Sequence, residues 1–250
     1  MSKIRLKDIS TRAPEDWDKD ETKKKTQEIY TELDELQNLL YAENKHSVLV
    51  ILQGIDASGK DGLIRDVFTC MNPNGIDIYS YKVPTHEELE HDFLWRIHKN
   101  TPPAGMIHVF NRSHYEDILV TRVHNIIDDK TAKKRIVAIN HFEQLLAEHT
   151  NTKVLKFYFH ISQEEQQERL KERMTDPRKM WKYNARDHKE SALWDTYMEY
   201  YEEVFNSCNE IPWHIVPSDQ NWYKAHFVAE KLRDTLKSLH MKYPGMTQEP

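Results

Sequence analysis

The sequence has few of the residues that mark extracellular, fibrous or membrane proteins. Only six glycines and two cysteines occur in 250 residues, and the cysteines, Cys70 and Cys208, form no CxxC pair. Such sparse cysteine predicts no disulfide framework and favours a reducing cytoplasm. No apolar run is long enough to span a bilayer, and the first residues, MSKIRLKDIS, lack the apolar centre of a signal peptide. We therefore expect a soluble cytoplasmic protein with no membrane partner.

A strongly basic character is also missing. The formal net charge is -6, which argues against general nucleic-acid binding, so any site for a polyanion must be a local basic patch. The composition, 38% hydrophobic and 30% charged, is typical of a globular protein. The length favours one α/β domain over two.

A phosphate-binding motif follows an apolar run. The run VLVILQ, residues 48–53, predicts a strand buried on both faces, and the next residues, GIDASGK, fit the spacing G-x-x-x-x-G-K. Glycines let successive N–H groups point inward, and the following helix adds its positive N-terminal end. An ordinary strand-to-helix turn is the alternative. We predict that this phosphate loop (residues 54–62) binds phosphate through Gly54, Ala57, Ser58, Gly59, Lys60, Asp61 and Gly62.

Two aspartates distinguish this loop from the common form. Asp61 stands where Ser or Thr normally supplies a hydroxyl to Mg²⁺, and Asp56 lies inside the loop. An acid that faces polyphosphate is repulsive unless a cation intervenes, so Asp56 indicates a metal-linked role. The alternative is that Asp56 only caps a turn.

Strands and helices are predicted to alternate along the rest of the chain. Such alternation favours a parallel sheet with helices on both faces, an α/β fold. An apolar stripe on the first helix (Ile29, Leu33, Leu36 and Leu40) could pack on its own chain or on a second subunit. The predicted elements are an extended arm (1–20), helices 22–44, 60–70, 85–99, 131–149, 162–174, one opened by Asp176-Pro177, 191–205 and 222–239, strands 76–82, 106–110, 153–160 and 213–216, and a loose end from Pro244.

A second polar segment, residues 111–117 (NRSHYED), follows the strand at 106–110. Ligands bind outside the carboxyl ends of parallel strands, so we expect this segment to face the phosphate loop. The planar fork of Arg112 suits phosphoryl oxygens, and Glu116 or Asp117 could hold Mg²⁺. The alternative is a helix cap made by Ser113 and Glu116.

A basic segment, residues 169–189, contains eight lysines or arginines against three acids. Arg169 and Arg173 are four residues apart and share a helix face, and Arg178, Lys179 and Lys182 follow. This pattern favours a lid that closes over phosphates, although a solvated charged face is the alternative. The aromatic stripe of the next helix (Trp194, Tyr197, Tyr201 and Phe205) is interpreted as core or subunit packing rather than base stacking.

Several separated motifs resemble the polyphosphate kinase 2 family across nearly the whole chain: GIDASGKDG, FNRSHYED with LVTRVH, and DPRKMWK with ALWDTY. The resemblance implies a P-loop kinase fold of three αβα layers, a single domain (1–250) with a lid module at about 162–190, and assembly as a homodimer or homotetramer. It implies Mg²⁺-dependent transfer, with Mn²⁺ as a substitute, of a terminal phosphoryl group between inorganic polyphosphate and a nucleotide. By similarity Asp56 and Lys60 belong to the phosphate loop, Arg112 to the second motif, and Arg173 and Lys182 to the lid. Together with the residue chemistry above, the predicted catalytic residues are Asp56, Lys60, Arg112 and Arg173, the metal ligands Asp56 and Glu116, the second-motif residues Asn111, Arg112, Glu116 and Arg122, and the lid residues Arg169, Arg173, Arg178, Lys179 and Lys182.

One departure from the family pattern concerns the acceptor. Many members carry Asp where this chain has Asn111, and asparagine cannot ligate as an anion. The Asn form resembles the subgroup that accepts nucleoside mono- and diphosphates alike, which implies AMP and ADP, with the guanine pair as further candidates. An ATP-dependent nucleoside monophosphate kinase and a nucleotide-binding switch without turnover remain the alternatives from other classes.

Overall fold

The chain is organised on a parallel sheet. The computed structural model describes residues 3–245, apart from the side chain of His188. Within that range the strands run in the order β2-β3-β1-β4-β5, all parallel, so that β1 is central. Every residue of β1 is buried, as its apolar sequence predicts. The strands are β1 (Ser47–Gln53), β2 (Ile76–Ser80), β3 (Ile107–Asn111), β4 (Thr152–His160) and β5 (Trp213–Pro217).

Helices cover both faces of the sheet and bury two apolar cores. On one face, Leu33, Leu63 and Leu232 come from three different helices and share a core. On the other, Ile139 and Phe205 share the second core. The predicted α/β fold is therefore confirmed. The helices are α1 (Lys19–Glu43), α2 (Lys60–Val67), α3 (His86–Leu89), α4 (Trp95–His98), α5 (Val120–Val123), α6 (Asp129–His149), α7 (Gln163–Thr175), α8 (Asp187–Ser191), α9 (Trp194–Ser207) and α10 (Asn221–Lys237).

The apolar stripe of α1 packs within its own chain. Ile29, Leu33 and Leu40 are buried in the core that α10 also joins, with Leu36 partly buried against it. The N-terminal arm also packs on the body, since Leu6 is buried and its amide donates to Glu202 of α9 (2.7 Å). The predicted loose end from Pro244 falls largely on residues 246–250, which lie outside the described residues.

Two predicted helices are wrong in detail. The helix expected at 85–99 is two single turns, α3 and α4, because Asp92 accepts the Leu94 amide (2.9 Å) and starts a new turn. Thr85 does form the capping box with Glu88. The segment opened by Asp176 is a turn rather than an α-helix, because the Asp176 carboxylate accepts the amide of Arg178 (3.0 Å). A 3₁₀ turn at Met180–Lys182 follows it.

Candidate active site

Sheet register brings the phosphate loop and the second polar segment together. Leu52, near the end of β1, pairs with Asn111 at the end of β3. The chain leaves both strands on the same edge of the sheet, where ligands of open α/β sheets bind. Arg112 turns sharply here, with φ at 63°, and its amide donates to the carbonyl of Leu52 (3.1 Å). A left-handed conformation is costly for arginine and is typical of functional positions.

The phosphate loop is open rather than collapsed on the sheet. Gly54, Ala57 and Gly59 have φ values of 153°, 65° and 89°, and a Cβ on Gly59 would collide with Nζ of Lys224. Among residues 3–245, no acceptor is found for the amides of Gly59, Lys60 and Asp61. Unpaired amides at a helix N-terminus form an anion site.

Lys60 lies inside the loop. Its Nζ donates to the carbonyls of Gly54 (2.5 Å) and Ile55 (3.1 Å) and lies 3.4 Å from the Ser58 hydroxyl. Burial, together with the nearby charge of Arg112, lowers the pKa of Lys60 to about 8. A phosphate would replace these carbonyl contacts and favour the charged amine.

Arg112 joins the two carboxylates predicted to bind metal. Its Nη2 donates to Asp56 (2.6 Å) and its Nη1 to Glu116 (3.3 Å). Burial opposes ionisation of Asp56, but the charges of Arg112 and Lys60 outweigh it and lower the pKa of Asp56. The charge of Glu116 is the main cause that raises the pKa of Arg112. Glu116 therefore faces Arg112, and the capping box considered for Ser113 and Glu116 does not form.

Asn111 and Asp61 form a second contact between the two segments. The Asn111 amide donates to Asp61 (2.9 Å), and Lys182 approaches the other oxygen of Asp61 (3.3 Å). Burial would raise the pKa of Asp61, yet the Asn111 hydrogen bond and the Lys182 charge lower it overall. Lys182 of the basic segment thus already lies beside the phosphate loop.

Other cations of the basic segment are also paired with acids. Arg173 donates to Asp187 (2.7 Å), and its charge contributes to the lowered pKa of Asp56. Lys179 pairs with Glu172, and the exposed Arg178 pairs with Asp176 (3.1 Å). Five cations of this segment are therefore paired with acids: Arg169, Arg173, Arg178, Lys179 and Lys182.

Three predicted site residues make contacts other than those that the sequence predicts. Arg122 is buried, donates to Asp129 and Glu203 and stacks over Tyr200, away from the loop. Asp117 is turned toward Arg96 (3.4 Å), and burial raises its pKa. Arg169 lies beneath the loop and donates to the carbonyls of Ala57, Ser218 and Asp219. The spacing of these residues could not reveal acceptors that come from distant parts of the chain.

A cavity beside Asp56 and Arg112 contains residues that the sequence reasoning missed. Its volume is about 30 Å³, which holds ordered water but not a nucleotide, so an acceptor would need the walls of the cavity to separate. Tyr201 and Phe205 of the aromatic stripe are core residues, as interpreted, and Trp194 and Tyr197 pack against the same core, but Trp194, Tyr197 and Tyr201 also line this cavity. The helical spacing of these aromatic residues was the sequence signal that could have identified them as cavity lining. The lining is Gly54, Ile55, Asp56, Arg112, Glu116, Val120, Gln166, Glu190, Ser191, Trp194, Tyr197 and Tyr201.

A buried charged network supports the second polar segment from behind. Lys156 of β4 is fully buried and donates to Glu143 (2.7 Å) and to the Tyr115 hydroxyl (2.9 Å). Tyr115 in turn donates to Glu143 (2.7 Å). Lys156, Glu143 and Tyr115 hydrogen-bond to one another, so this network supports the turn that carries Glu116.

The described part of the chain contains no ready-made metal cage and no membrane-spanning helix. No group of three or more His, Cys, Asp or Glu side chains could hold a metal ion within it. Its helices are all too short or too polar to cross a bilayer. A divalent ion at this site would therefore rely on one or two carboxylates together with substrate oxygens, the mode typical of Mg²⁺.

The fold and the loop define a phosphate-loop phosphotransferase of the α/β class. Residues 16–244 match the model of the family described as Polyphosphate kinase 2 (PPK2). The chain belongs to this family, which confirms the resemblance found in the sequence.

Named relatives and a solved structure agree with the family. The chain is 47% identical over 214 residues to the AMP/ADP-polyphosphate phosphotransferase of Meiothermus ruber, covering 85% of this chain and 80% of that protein. It is 42% identical over 230 residues to the ADP-polyphosphate phosphotransferase of Rhodopseudomonas palustris, covering 86% and 79%. The crystal structure of polyphosphate kinase 2 from Arthrobacter aurescens TC1 matches with a TM-score of 0.95 and 38% identity, covering 100% of this chain and 91% of that one.

Proposed function

We propose that this protein transfers the terminal phosphoryl group of inorganic polyphosphate to AMP and ADP, reversibly, with GMP and GDP as further acceptors. The observation that carries the proposal is the phosphate loop, whose unpaired amides and Lys60 lie opposite the Asp56–Arg112 pair. Relatives with 47% and 42% identity are named for AMP/ADP and ADP phosphotransfer from polyphosphate, which supports the same reaction here.

The donor is proposed to bind along the phosphate loop and the basic segment. The loop amides and Lys60 would hold one end of the phosphate chain, and Arg173, Lys179 and Lys182 would hold more distant phosphates. In the present arrangement their partners are Asp187, Glu172 and Asp61. A polyanion would replace these acids. We therefore propose that residues 162–190 form the lid module of a single domain of residues 1–250, in which Gln166 and Arg169 anchor α7 on the phosphate loop and the part from Arg173 onward exchanges its ion pairs.

The acceptor is proposed to bind in the cavity on the other side of Asp56. Trp194 and Tyr197 offer aromatic surface for a base, and Arg112 offers its planar fork to the acceptor phosphate. Glu190, which also lines the cavity, accepts from the Tyr197 hydroxyl (2.8 Å). Once the walls of the cavity separate, a purine nucleotide bound here would direct its phosphates to Arg112.

Asp56 and Glu116 are the residues proposed to hold Mg²⁺, with Mn²⁺ as a substitute. The charges of Arg112 and Lys60 keep Asp56 ionised, and an ionised carboxylate is the ligand that Mg²⁺ prefers. When bound, the ion would neutralise charge on the transferring phosphate. Lys60, Arg112 and the loop amides position both substrates for direct in-line transfer, with no covalent protein intermediate.

The test is to incubate the protein with ADP, Mg²⁺ and long-chain polyphosphate in the absence of ATP. We expect ATP to form, and AMP in place of ADP to give ADP and then ATP. The control omits polyphosphate and supplies ATP with AMP. ADP formation in that control alone would instead identify an ATP-dependent nucleoside monophosphate kinase, and inactivity in both mixtures would identify a nucleotide-binding switch.

The protein is proposed to work in the cytoplasm as a homodimer or homotetramer. Val137 and Leu145 of α6 are large apolar side chains with 54% and 48% of their surface exposed, and such side chains are common at subunit contacts. Both cysteines are unpaired, which is compatible with a reducing compartment. We expect light scattering to give two or four times the chain mass, and a monomer at micromolar concentration would contradict the proposal.

A further inference from the structure

The carbonyl oxygens of the phosphate loop are held by side chains from outside the loop. Lys60 reaches the carbonyls of Gly54 and Ile55 from within. Gln166, on α7, donates to the carbonyl of Asp56 (3.1 Å). Arg169, one turn further along α7, donates to the carbonyl of Ala57 (3.1 Å). In a chain that turns this tightly, the direction of each carbonyl fixes the direction of the following amide.

Lys224 of α10 also holds carbonyl oxygens of the phosphate loop. Its Nζ donates to the carbonyls of Ser58 (3.1 Å) and Gly59 (3.3 Å) and to the side chain of Asn221 (3.0 Å). These acceptors match the three protons of an ammonium group. Only 1% of its surface is exposed. The amine also lies 5.4 Å from the centre of the Phe159 ring, so it occupies a fixed site beneath the loop and cannot reach a substrate.

Burial of this lysine needs a reason, because a buried amine is costly unless it is well paired. Burial and the neighbouring charge of Arg169 lower the pKa of Lys224 to about 7. The position of the Lys224 amine also requires glycine at residue 59, since any Cβ there would collide with the amine. The lysine and the glycine therefore fit each other, and both serve the conformation of the loop.

We propose that Lys224 and Arg169 are positioning residues for the phosphate loop. They hold the carbonyls of Ala57, Ser58 and Gly59 on the underside, and the Ser58 and Gly59 carbonyls direct the amides of Gly59 and Lys60 toward the phosphate donor. Neither residue touches the donor. Arg169 thereby has a different role from the polyphosphate contact that its sequence position predicts. The inference rests on the proposed use of polyphosphate as the donor.

The test measures KM for long-chain polyphosphate and KM for ADP separately in wild type and Lys224→Met. We expect KM for polyphosphate to rise at least about tenfold and KM for ADP to stay within about twofold, because only donor-facing amides lose their orientation. The matched control is Leu232→Ala, two turns further along α10 and fully buried away from the loop. It should lower the melting temperature without changing KM for polyphosphate.

A second variant covers the case in which Lys224→Met does not fold. Arg169→Lys keeps the charge but loses the fork that reaches three carbonyls, and we expect KM for polyphosphate to rise about fivefold. An unchanged KM for polyphosphate in folded Lys224→Met, or in folded Arg169→Lys when Lys224→Met does not fold, would overturn the proposal. So would an equal rise in Leu232→Ala. Failure of the donor assignment would instead appear in wild type, as absence of polyphosphate-dependent ATP formation.

Discussion

Replacing Lys60 with methionine should lower kcat/KM for polyphosphate roughly 10³-fold, because a buried positive charge at the transferring phosphate is lost. Methionine fills nearly the same volume, and removal of the amine also removes its burial cost. The melting temperature should therefore change little. The rate of ATP formation from ADP and polyphosphate measures the first effect, and thermal unfolding measures the second.

The same lysine should also set the alkaline limit of the reaction. Since the pKa of Lys60 is about 8, its protonated fraction falls as the pH rises through that value, and kcat/KM should fall with it. Asp56 and Asp61 are already ionised there and Arg112 stays charged. The pKa of Lys224 is about 7, so its deprotonation should produce a separate decrease of kcat/KM at lower pH. Lys224→Met should remove that decrease.

The prediction for Lys60→Met has a control variant and a result that would contradict it. Lys45→Met removes an exposed lysine that pairs with Glu43 and precedes β1, at the end of that strand away from the loop, and it should leave the rate within about twofold of wild type. If Lys60→Met kept a tenth or more of the wild-type kcat/KM, the assigned role of Lys60 would be wrong.

Replacing Asp56 with asparagine should lower kcat about 10²-fold and raise the Mg²⁺ concentration for half-maximal rate about tenfold. The amide is nearly isosteric but carries no charge, so it binds Mg²⁺ weakly and no longer neutralises Arg112. Titration of the rate with Mg²⁺ at saturating substrates measures both effects.

Asp129→Asn is the matched control for the Asp56 variant. Asp129 is an exposed partner of Arg122 outside the site, so its neutralisation should leave the Mg²⁺ requirement unchanged. A wild-type Mg²⁺ requirement in Asp56→Asn would show that Asp56 does not hold the ion, and Glu116 would be the remaining candidate of the predicted pair.

The sequence predicted those parts of the site whose signals are local. The apolar run of β1 and the glycine spacing predicted a strand and an open loop, and both are present. Parallel strand order then placed Arg112 opposite Asp56, as the pairing of Leu52 with Asn111 shows. Each of these inferences needed only neighbouring residues and the geometry of a parallel sheet.

Other parts of the site depend on long-range contacts that a pattern does not contain. Arg169 was assigned to the lid by helical spacing, but its acceptors lie in the phosphate loop and after β5. Trp194, Tyr197 and Tyr201 belong to one stripe that packs on the core and also lines the cavity, and helical spacing alone does not show the second contact. Lys224 lies between buried positions of α10, and only its contacts show what it holds.

The buried pair of Lys156 and Glu143 has a consequence for how substrates enter. The wall that carries Arg112 rests on charges with no exposed surface, where loss of either partner would cost about 3–5 kcal/mol. The opposite wall is held by pairs such as Lys182 with Asp61, which solvent and salt can reach. The turn that carries Arg112 and Glu116 should therefore keep its shape through the reaction cycle, while the basic segment exchanges its ion pairs one by one as a polyanion binds.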